Sequence, residues 1–251
     1  MNYKHFILPV LICLFMGCKQ SMHLNKIKGE RLEINDSLTG VQEIEDFIKP
    51  FRERVNNDMD SVLAYAVDSY SKTDGELNTA IGNLMADAVL ELSNPVFKTR
   101  TGNNIDMVIL NHGGIRSIMS KGNITTKTAY QLMPFDNEVV VVAMKGAIVK
   151  ELVSYLQRAK RAHPIAKLNI KLKADGSLIE STIDGQPIND DELYYVATSD
   201  YLFDGGDRMT FLKKGDSLHV LDYKIRNVLI DYFKKHDTLN PVIDNRFIQI
   251  K

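Results

Sequence analysis

The chain has 251 residues, 44% hydrophobic and 25% charged, with a formal net charge of −1. That is the composition of a globular protein with enough apolar material for a sizeable core, and one domain of roughly 200 residues is the expectation. It argues against a nucleic-acid surface, since the charge is balanced and no long basic stripe occurs.

The first eighteen residues, MNYKHFILPVLICLFMGC, place Lys4 before an apolar run from Phe6 to Met16, followed by Gly17 and Cys18. The run is too short for a permanent membrane span and has the anatomy of a secretory signal. Gly17-Cys18 resembles a bacterial lipoprotein processing site, with Phe15 where leucine is usual. The expectation is an exported chain, lipid-modified at Cys18 and held to the periplasmic side of the bacterial envelope by that anchor. An ordinary signal cut nearby and a single buried anchor helix are the alternatives. No cysteine follows Cys18, so no disulfide holds the exported fold.

Residues 19–40 are polar and aperiodic, as a flexible tether is, and the domain is expected over 41–251. Ile44, Phe47, Ile48, Phe51 and Val55 recur at helical spacing, and SVLAYAV (61–67) reads as a strand. Thr79 caps a helix whose stripe is Ile81, Leu84, Met85, Ala88, Val89 and Leu92, and which Asn94-Pro95 should end. IDMVIL (105–110) and EVVVVAM (138–144) are near-continuous apolar runs, expected as strands buried on both faces. Between them Thr125 or Thr126 opens a short helix that Pro134 ends. A helix follows Met144 with Ile148, Leu152 and Leu156 on one face. Asp175-Gly176 and Asp184-Gly185 then mark hairpin turns. LYYVATS (193–199) is another strand, and the last helix points Ile225, Val228, Leu229, Tyr232 and Phe233 inward. No internal repeat is present. Without a strict strand-helix alternation, the fold class is α+β, or mixed α/β, with mixed sheets flanked by helices in layers.

Three stretches carry chemistry. In ILNHGGIRS (109–117) a buried strand runs into two glycines, where the backbone turns sharply or lets a ligand reach its amides. Asn111 adds an amide and Arg116 a planar fork of donors suited to a carboxylate or phosphate. The stretch is either an anion cradle or a plain turn with Arg116 in a structural salt bridge. In QLMPFDNEV (131–139), Phe135 either closes the core or stands on the loop, with Asp136 and Asn137 as turn formers. In YLFDGGDRMTF (201–211), two rings and the Asp207 carboxylate suit a nucleoside, by stacking and by hydrogen bonds to sugar hydroxyls. A simple turn is the alternative. A calcium site through Asp204 and Asp207 lacks the alternating oxygen ligands.

Taken in order, ELNTAIGNLMADAV, NHGGIR, AYQLMPFDNEV and YYVATSDYLFDGGD resemble the C-terminal domain of the 5′-nucleotidase family. The resemblance covers about residues 45–251 and implies a substrate-holding domain whose catalytic partner is a separate metallophosphatase domain with two metal ions. It implies that Asn111, Gly113, Gly114 and Arg116 meet the phosphate and sugar end of a nucleotide. Phe135 and Tyr201 would sandwich the base, and Asn137 and Asp207 would hydrogen-bond the nucleoside, Asp207 at the ribose.

Two departures stand out. Tyr201 replaces the more usual phenylalanine. An arginine commonly found just before the GNL helix and used on the phosphate is missing from SKTDGELNTAIGNL, where only Lys72 is near. The six histidines, at 5, 23, 112, 163, 219 and 236, form no dinuclear metal set, which needs clustered Asp, His and Asn ligands. The resemblance therefore implies no catalytic residue and no metal ligand in this chain, and divalent metals only in a separately encoded metallophosphatase polypeptide. An exported nucleoside-binding lipoprotein without such a partner is the alternative.

Overall fold

The computed structural model describes residues 23–250. The signal-like segment 1–18, with Cys18, and the first residues of the expected tether lie outside the described residues. The chain falls into two units, parted between Ile48 and Lys49 within helix α1 (Gln42–Met59). Residues 23–41 are exposed and carry no helix or strand, only a turn closed by the Leu38 N–H on the Asn35 carbonyl at 3.1 Å. The helical spacing from Ile44 to Val55 does form a helix, yet none of its residues is buried. Periodicity fixes local conformation, not what covers it.

The second unit is built on twelve strands: β1 (Val62–Ala66), β2 (Met107–Ile109), β3 (Gly122–Thr125), β4 (Glu138–Lys145), β5 (Ile165–Ala166), β6 (Leu168–Leu172), β7 (Leu178–Ile183), β8 (Gln186–Pro187), β9 (Leu193–Ser199), β10 (Ser217–Lys224), β11 (Thr238–Leu239) and β12 (Phe247–Gln249). They form a five-stranded sheet in the order β10-β4-β9-β2-β5, a three-stranded sheet β11-β1-β3 and a four-stranded sheet β12-β6-β7-β8. All three are mixed: β9 runs parallel to β2 and antiparallel to β4, β1 parallel to β11, and β12 parallel to β6.

The five-stranded sheet divides the hydrophobic core. Val108, Val139, Val141 and Ala197 belong to a cluster built with α2 (Ala80–Thr101) and α6 (Ile225–Lys235). Their neighbours Met107, Ile109, Val142, Met144 and Val196 belong to another, built with α4 (Gly146–Ala159) and the strands β6 and β12. Period-two alternation sends successive side chains into different cores, which is why both strands read as uninterrupted apolar runs.

Helix α2 begins as expected, with the Thr79 hydroxyl accepting the Gly82 N–H at 3.2 Å. It does not end at Asn94-Pro95: it continues to Thr101 and stops at Gly102, whose φ is +79°. Proline inside a helix costs about 3 kcal/mol. The continuation buries Phe97 completely, which offsets that by about 2 to 3 kcal/mol. Asn94 instead serves the following loop, accepting the Ile105 N–H at 2.7 Å.

In α4 the buried face is centred on Val149, Leu152, Val153 and Leu156, with Ile148 at its edge. In α6 Tyr232 lies half-buried beside the core that takes Ile225, Val228, Leu229 and Phe233. Both expected hairpins form. The β7-β8 turn holds Asp184 and Gly185 at φ +51° and +76°, the primed geometry that matches strand twist.

Candidate functional site

Strands β4, β9 and β2 are neighbours, and their directions bring three loops to one sheet edge: the loop after β2, the loop before β4 and the loop after β9. Between them lies a cavity of about 400 Å³ lined by Asn111, Gly113, Arg116, Phe135, Asn137, Tyr201 and Asp207. Of the eight residues singled out in the sequence, only Gly114 is not on its wall. Gly114 lies behind Asn111: a Cβ there would stand 2.9 Å from the Asn111 side-chain oxygen.

The first wall is the short 3-10 turn His112–Gly114 that follows β2. Asn111 is buried, and His112 points back to the main chain, its Nδ1 lying 3.1 Å from the Ala162 carbonyl. Behind the turn sits His163, 3% exposed, with Nδ1 3.3 Å from both the Leu110 carbonyl and the His112 N–H. Burial pushes its pKa below the usual histidine value, against a smaller opposing pull from the Leu110 carbonyl. The ring is therefore neutral at neutral pH.

Arg116 is exposed and makes no ion pair among the described residues, so the structural salt bridge considered for it is not formed. Its guanidinium carbon is 5.7 Å from the Phe135 ring centroid and Nη1 donates to the Gly113 carbonyl at 3.4 Å. Lys72 reaches the same loop from outside the cavity wall, donating to the Ile115 carbonyl at 2.9 Å.

The second wall follows α3 (Thr126–Leu132), which Thr125 opens through a capping box with Thr128 and which ends before Pro134. Phe135 is 40% exposed and lines the cavity, so it does not close the core. Its loop is held by a residue that the sequence hides on the polar side of the last helix. Arg226, at the start of α6 and 8% exposed, donates from Nη1 to the carbonyls of Pro134 (3.3 Å) and Phe135 (3.4 Å). Its Nη2 pairs with Asp136 at 2.6 Å, and its guanidinium carbon lies 4.2 Å from the Tyr130 ring centroid. The adjacent Ile225 N–H donates to the Asn137 carbonyl at 3.0 Å. Asp136 is thus more than a turn former: the Arg226 hydrogen bond, then Lys224 at 3.3 Å, hold its carboxyl below the usual aspartate range.

The third wall follows β9. Ser199 caps the single turn α5 (Asp200–Phe203), its hydroxyl accepting the Leu202 N–H at 3.1 Å. Leu202 enters the core and Phe203 packs partly against it, leaving Tyr201 42% exposed on the cavity. Gly206 lies under the Tyr201 ring, where a Cβ would come within 2.4 Å of a ring carbon. Asp207 and Arg208 follow at φ +49° and +64°, a region that side chains enter at a cost. Two hydroxyls hold Asp207 there: Tyr201 Oη donates to its carboxylate Oδ1 at 3.1 Å, and Tyr155 Oη to its carbonyl at 2.9 Å. Burial, and then the nearby Asp207 charge, raise the Tyr155 pKa, so it stays a donor. Tyr155 lies on α4, where the sequence marks only a helix.

The cavity therefore offers two aromatic rings, one guanidinium, one carboxylate and two carboxamides, a set that suits a planar ring carrying hydroxyls and an anionic end. Asp204 is engaged separately with Lys213 at 3.4 Å. The residues do not fit a metal ion: among the described residues no group of three or more His, Cys, Asp or Glu could hold one. A second concavity of about 220 Å³ beside Asp87, Asp244 and Arg246 is occupied by its own pairing, with Arg246 at 2.9 Å from Asp87 and 2.7 Å from Asp244. No helix among the described residues is long and apolar enough to cross a membrane.

Comparison with known proteins bears on the family and the fold. Residues 61–214, more than half of the chain, match the family model of the 5′-nucleotidase C-terminal domain. The cell wall protein Lmo0130 of Listeria monocytogenes is 28% identical over 188 residues, covering 69% of this chain and 23% of its own length. The trifunctional nucleotide phosphoesterase YfkN of Bacillus subtilis is 27% identical over 227 residues, covering 83% of this chain and 15% of its own length. The crystal structure of a 5′-nucleotidase precursor from Thermus thermophilus superposes with a TM-score of 0.68 at 21% identity, over 83% of this chain and 43% of that one. The chain thus spans less than half the length of each of these relatives.

Proposed function

The chain belongs to the 5′-nucleotidase C-terminal domain family, and from that premise we propose that it holds a nucleotide or nucleoside between the rings of Phe135 and Tyr201. Asp207 accepts hydrogen bonds from ribose hydroxyls, Asn137 and Asn111 bond the polar edges of the ligand, and Arg116 meets the phosphate end beside the Gly113-Gly114 turn. The observation that carries this reading is the meeting of all three loops on one cavity with both rings exposed to it. The hydrolytic step belongs to a separately encoded metallophosphatase polypeptide, which would hold the divalent metals. This chain contributes substrate binding and no catalytic residue. In this reading the protein is exported and lipid-anchored through Cys18, with the tether setting its reach from the membrane.

Calorimetric titration with AMP and with adenosine tests the binding role. Micromolar binding of AMP, lost in F135A and Y201A, is expected. Absence of binding by either ligand refutes the reading. Phosphate release from AMP with added Mn²⁺ tests the division of labour: none is expected from the pure chain, and robust turnover overturns it. Labelling of the exported protein with a radioactive fatty acid, lost in C18S, tests the anchor.

One observation favours a second reading, a binding lipoprotein that captures nucleosides without a phosphatase partner. Among the described residues Arg116 is the single cation on the cavity wall and Asp207 balances it, so little charge is left for a phosphate. Equal affinity for adenosine and AMP would favour this second reading; a gain of tenfold or more with AMP would favour the first.

A further inference from the structure

We infer that Tyr155, with the hydroxyl of Tyr201, is a positioning residue that presents Asp207 to a vicinal diol, and so makes the site select ribosides over deoxyribosides and free bases. The inference rests on the nucleoside reading of the cavity and adds a specificity that neither ring of the clamp supplies.

Tyr155 does not line the cavity. It stands on α4 and donates its hydroxyl across to the Asp207 carbonyl at 2.9 Å. The carbonyl it holds belongs to the first of two consecutive left-handed residues, Asp207 (φ +49°) and Arg208 (φ +64°). A side chain in that region is disfavoured by roughly 1 to 2 kcal/mol, so the turn needs an external contact of comparable strength to keep one conformation. The Tyr155 hydrogen bond is such a contact. Its ring is fixed in turn by Phe211 and by the buried His163, at centroid distances of 5.8 Å each.

Tyr201 supplies the second hold. Its ring forms one side of the cavity while its hydroxyl donates to Asp207 Oδ1 at 3.1 Å. Oδ2 has no hydrogen bond among the described residues. One carboxylate oxygen is thereby oriented by the protein and the other left without a partner among the described residues, on a side chain that lines the cavity; such a carboxylate can take hydrogen bonds from two adjacent hydroxyls. A phenylalanine at 201 would stack as well and leave this carboxylate unoriented. A preorganised acceptor discriminates strongly because a ligand lacking the hydroxyl covers the free carboxylate oxygen without pairing it.

The test is calorimetry of wild type, Y155F and Y201F with adenosine, 2′-deoxyadenosine and adenine, together with hydrogen exchange of amides 205–210 in the unliganded proteins. Wild type should bind adenosine at least tenfold more tightly than the other two. Y155F and Y201F should each lose about three- to tenfold for adenosine, the size of one hydrogen bond, and under twofold for the other ligands. D207N combined with Y155F should be no worse than D207N alone. Faster exchange at 205–210 is expected in Y155F. Equal losses for all three ligands, additive losses in the double variant, or unchanged exchange overturn the inference. If wild type binds none of the three while Y155F still loosens the loop, the nucleoside reading fails and the tethering of Asp207 by Tyr155 stands.

Discussion

Phe135 is carried on a loop whose carbonyls and carboxylate are gripped by the Arg226 guanidinium, with Lys224 also on Asp136. Tyr201 is carried on a loop held mainly by neutral groups, the Ser199 cap, the Tyr155 hydroxyl and Gly206 beneath the ring, with one exposed ion pair between Asp204 and Lys213. One wall of the same cavity depends on a buried guanidinium, the other mostly on packing and hydroxyl hydrogen bonds. Ionic support responds to salt and acid, whereas a packed turn responds to single added atoms. The two walls should therefore fail under different conditions.

The largest effect is expected from G206A. The added carbon meets the Tyr201 ring at 2.4 Å and the Tyr201 carbonyl at 2.6 Å, and such overpacking costs about 3 kcal/mol. Urea denaturation should show that loss, and nucleoside binding should weaken more than tenfold. A change under about 0.5 kcal/mol would mean the ring is not held as described. Next is R226M, which strips donors from Pro134, Phe135 and Asp136 together and should cost about 2 kcal/mol. It should displace the Phe135 wall and leave amide exchange at 205–210 untouched; faster exchange there would erase the independence of the two walls.

Smaller effects come with pH. His163 stays neutral in the fold because burial lowers its pKa, so below about pH 6.5 the unfolded chain takes up the proton first. Stability should fall as pH drops through that value, and H163Q should flatten the slope. A slope unchanged in H163Q would place its origin elsewhere. Asp136 has linkage of the same sign from a different cause: its partners depress its folded pKa, so its contribution is present above about pH 4 and is lost as pH falls further. D136N should remove that acid dependence and make the remaining stability less sensitive to salt. This is the smallest of the four effects, because the carboxylate is exposed.

Local chemistry made much of this legible. Glycine pairs, a proline ending a helix and rings between strands are marks of short-range geometry; they left each stretch open between a turn and a ligand wall, and the family resemblance picked out the residues that line the cavity. The continuous apolar runs at 105–110 and 138–144 likewise announced strands with a core on each side. What supports the site was not legible. Arg226 is 91 residues from Phe135 in sequence and sits in a segment whose period signals only a core-facing helix. Tyr155 and His163 similarly act across the fold, and the spacing of one side chain on a helix says nothing of which loop it will meet. Pro95 misled for the related reason that a tertiary gain, the burial of Phe97, outweighs a local penalty. The exposed α1 marks the same limit from the other side.

The register of β4 against β9 has a kinetic consequence. Val139 pairs with Ser199 as the final rung before the cavity, with Phe135 four residues before the one and Tyr201 two after the other. A slip of two residues would keep every valine facing its proper core yet carry one ring about 7 Å past its counterpart. Buried area and secondary structure would barely register such an error. Recovery of ligand binding during refolding would, and its lag behind circular dichroism would time the moment at which those two strands find each other correctly.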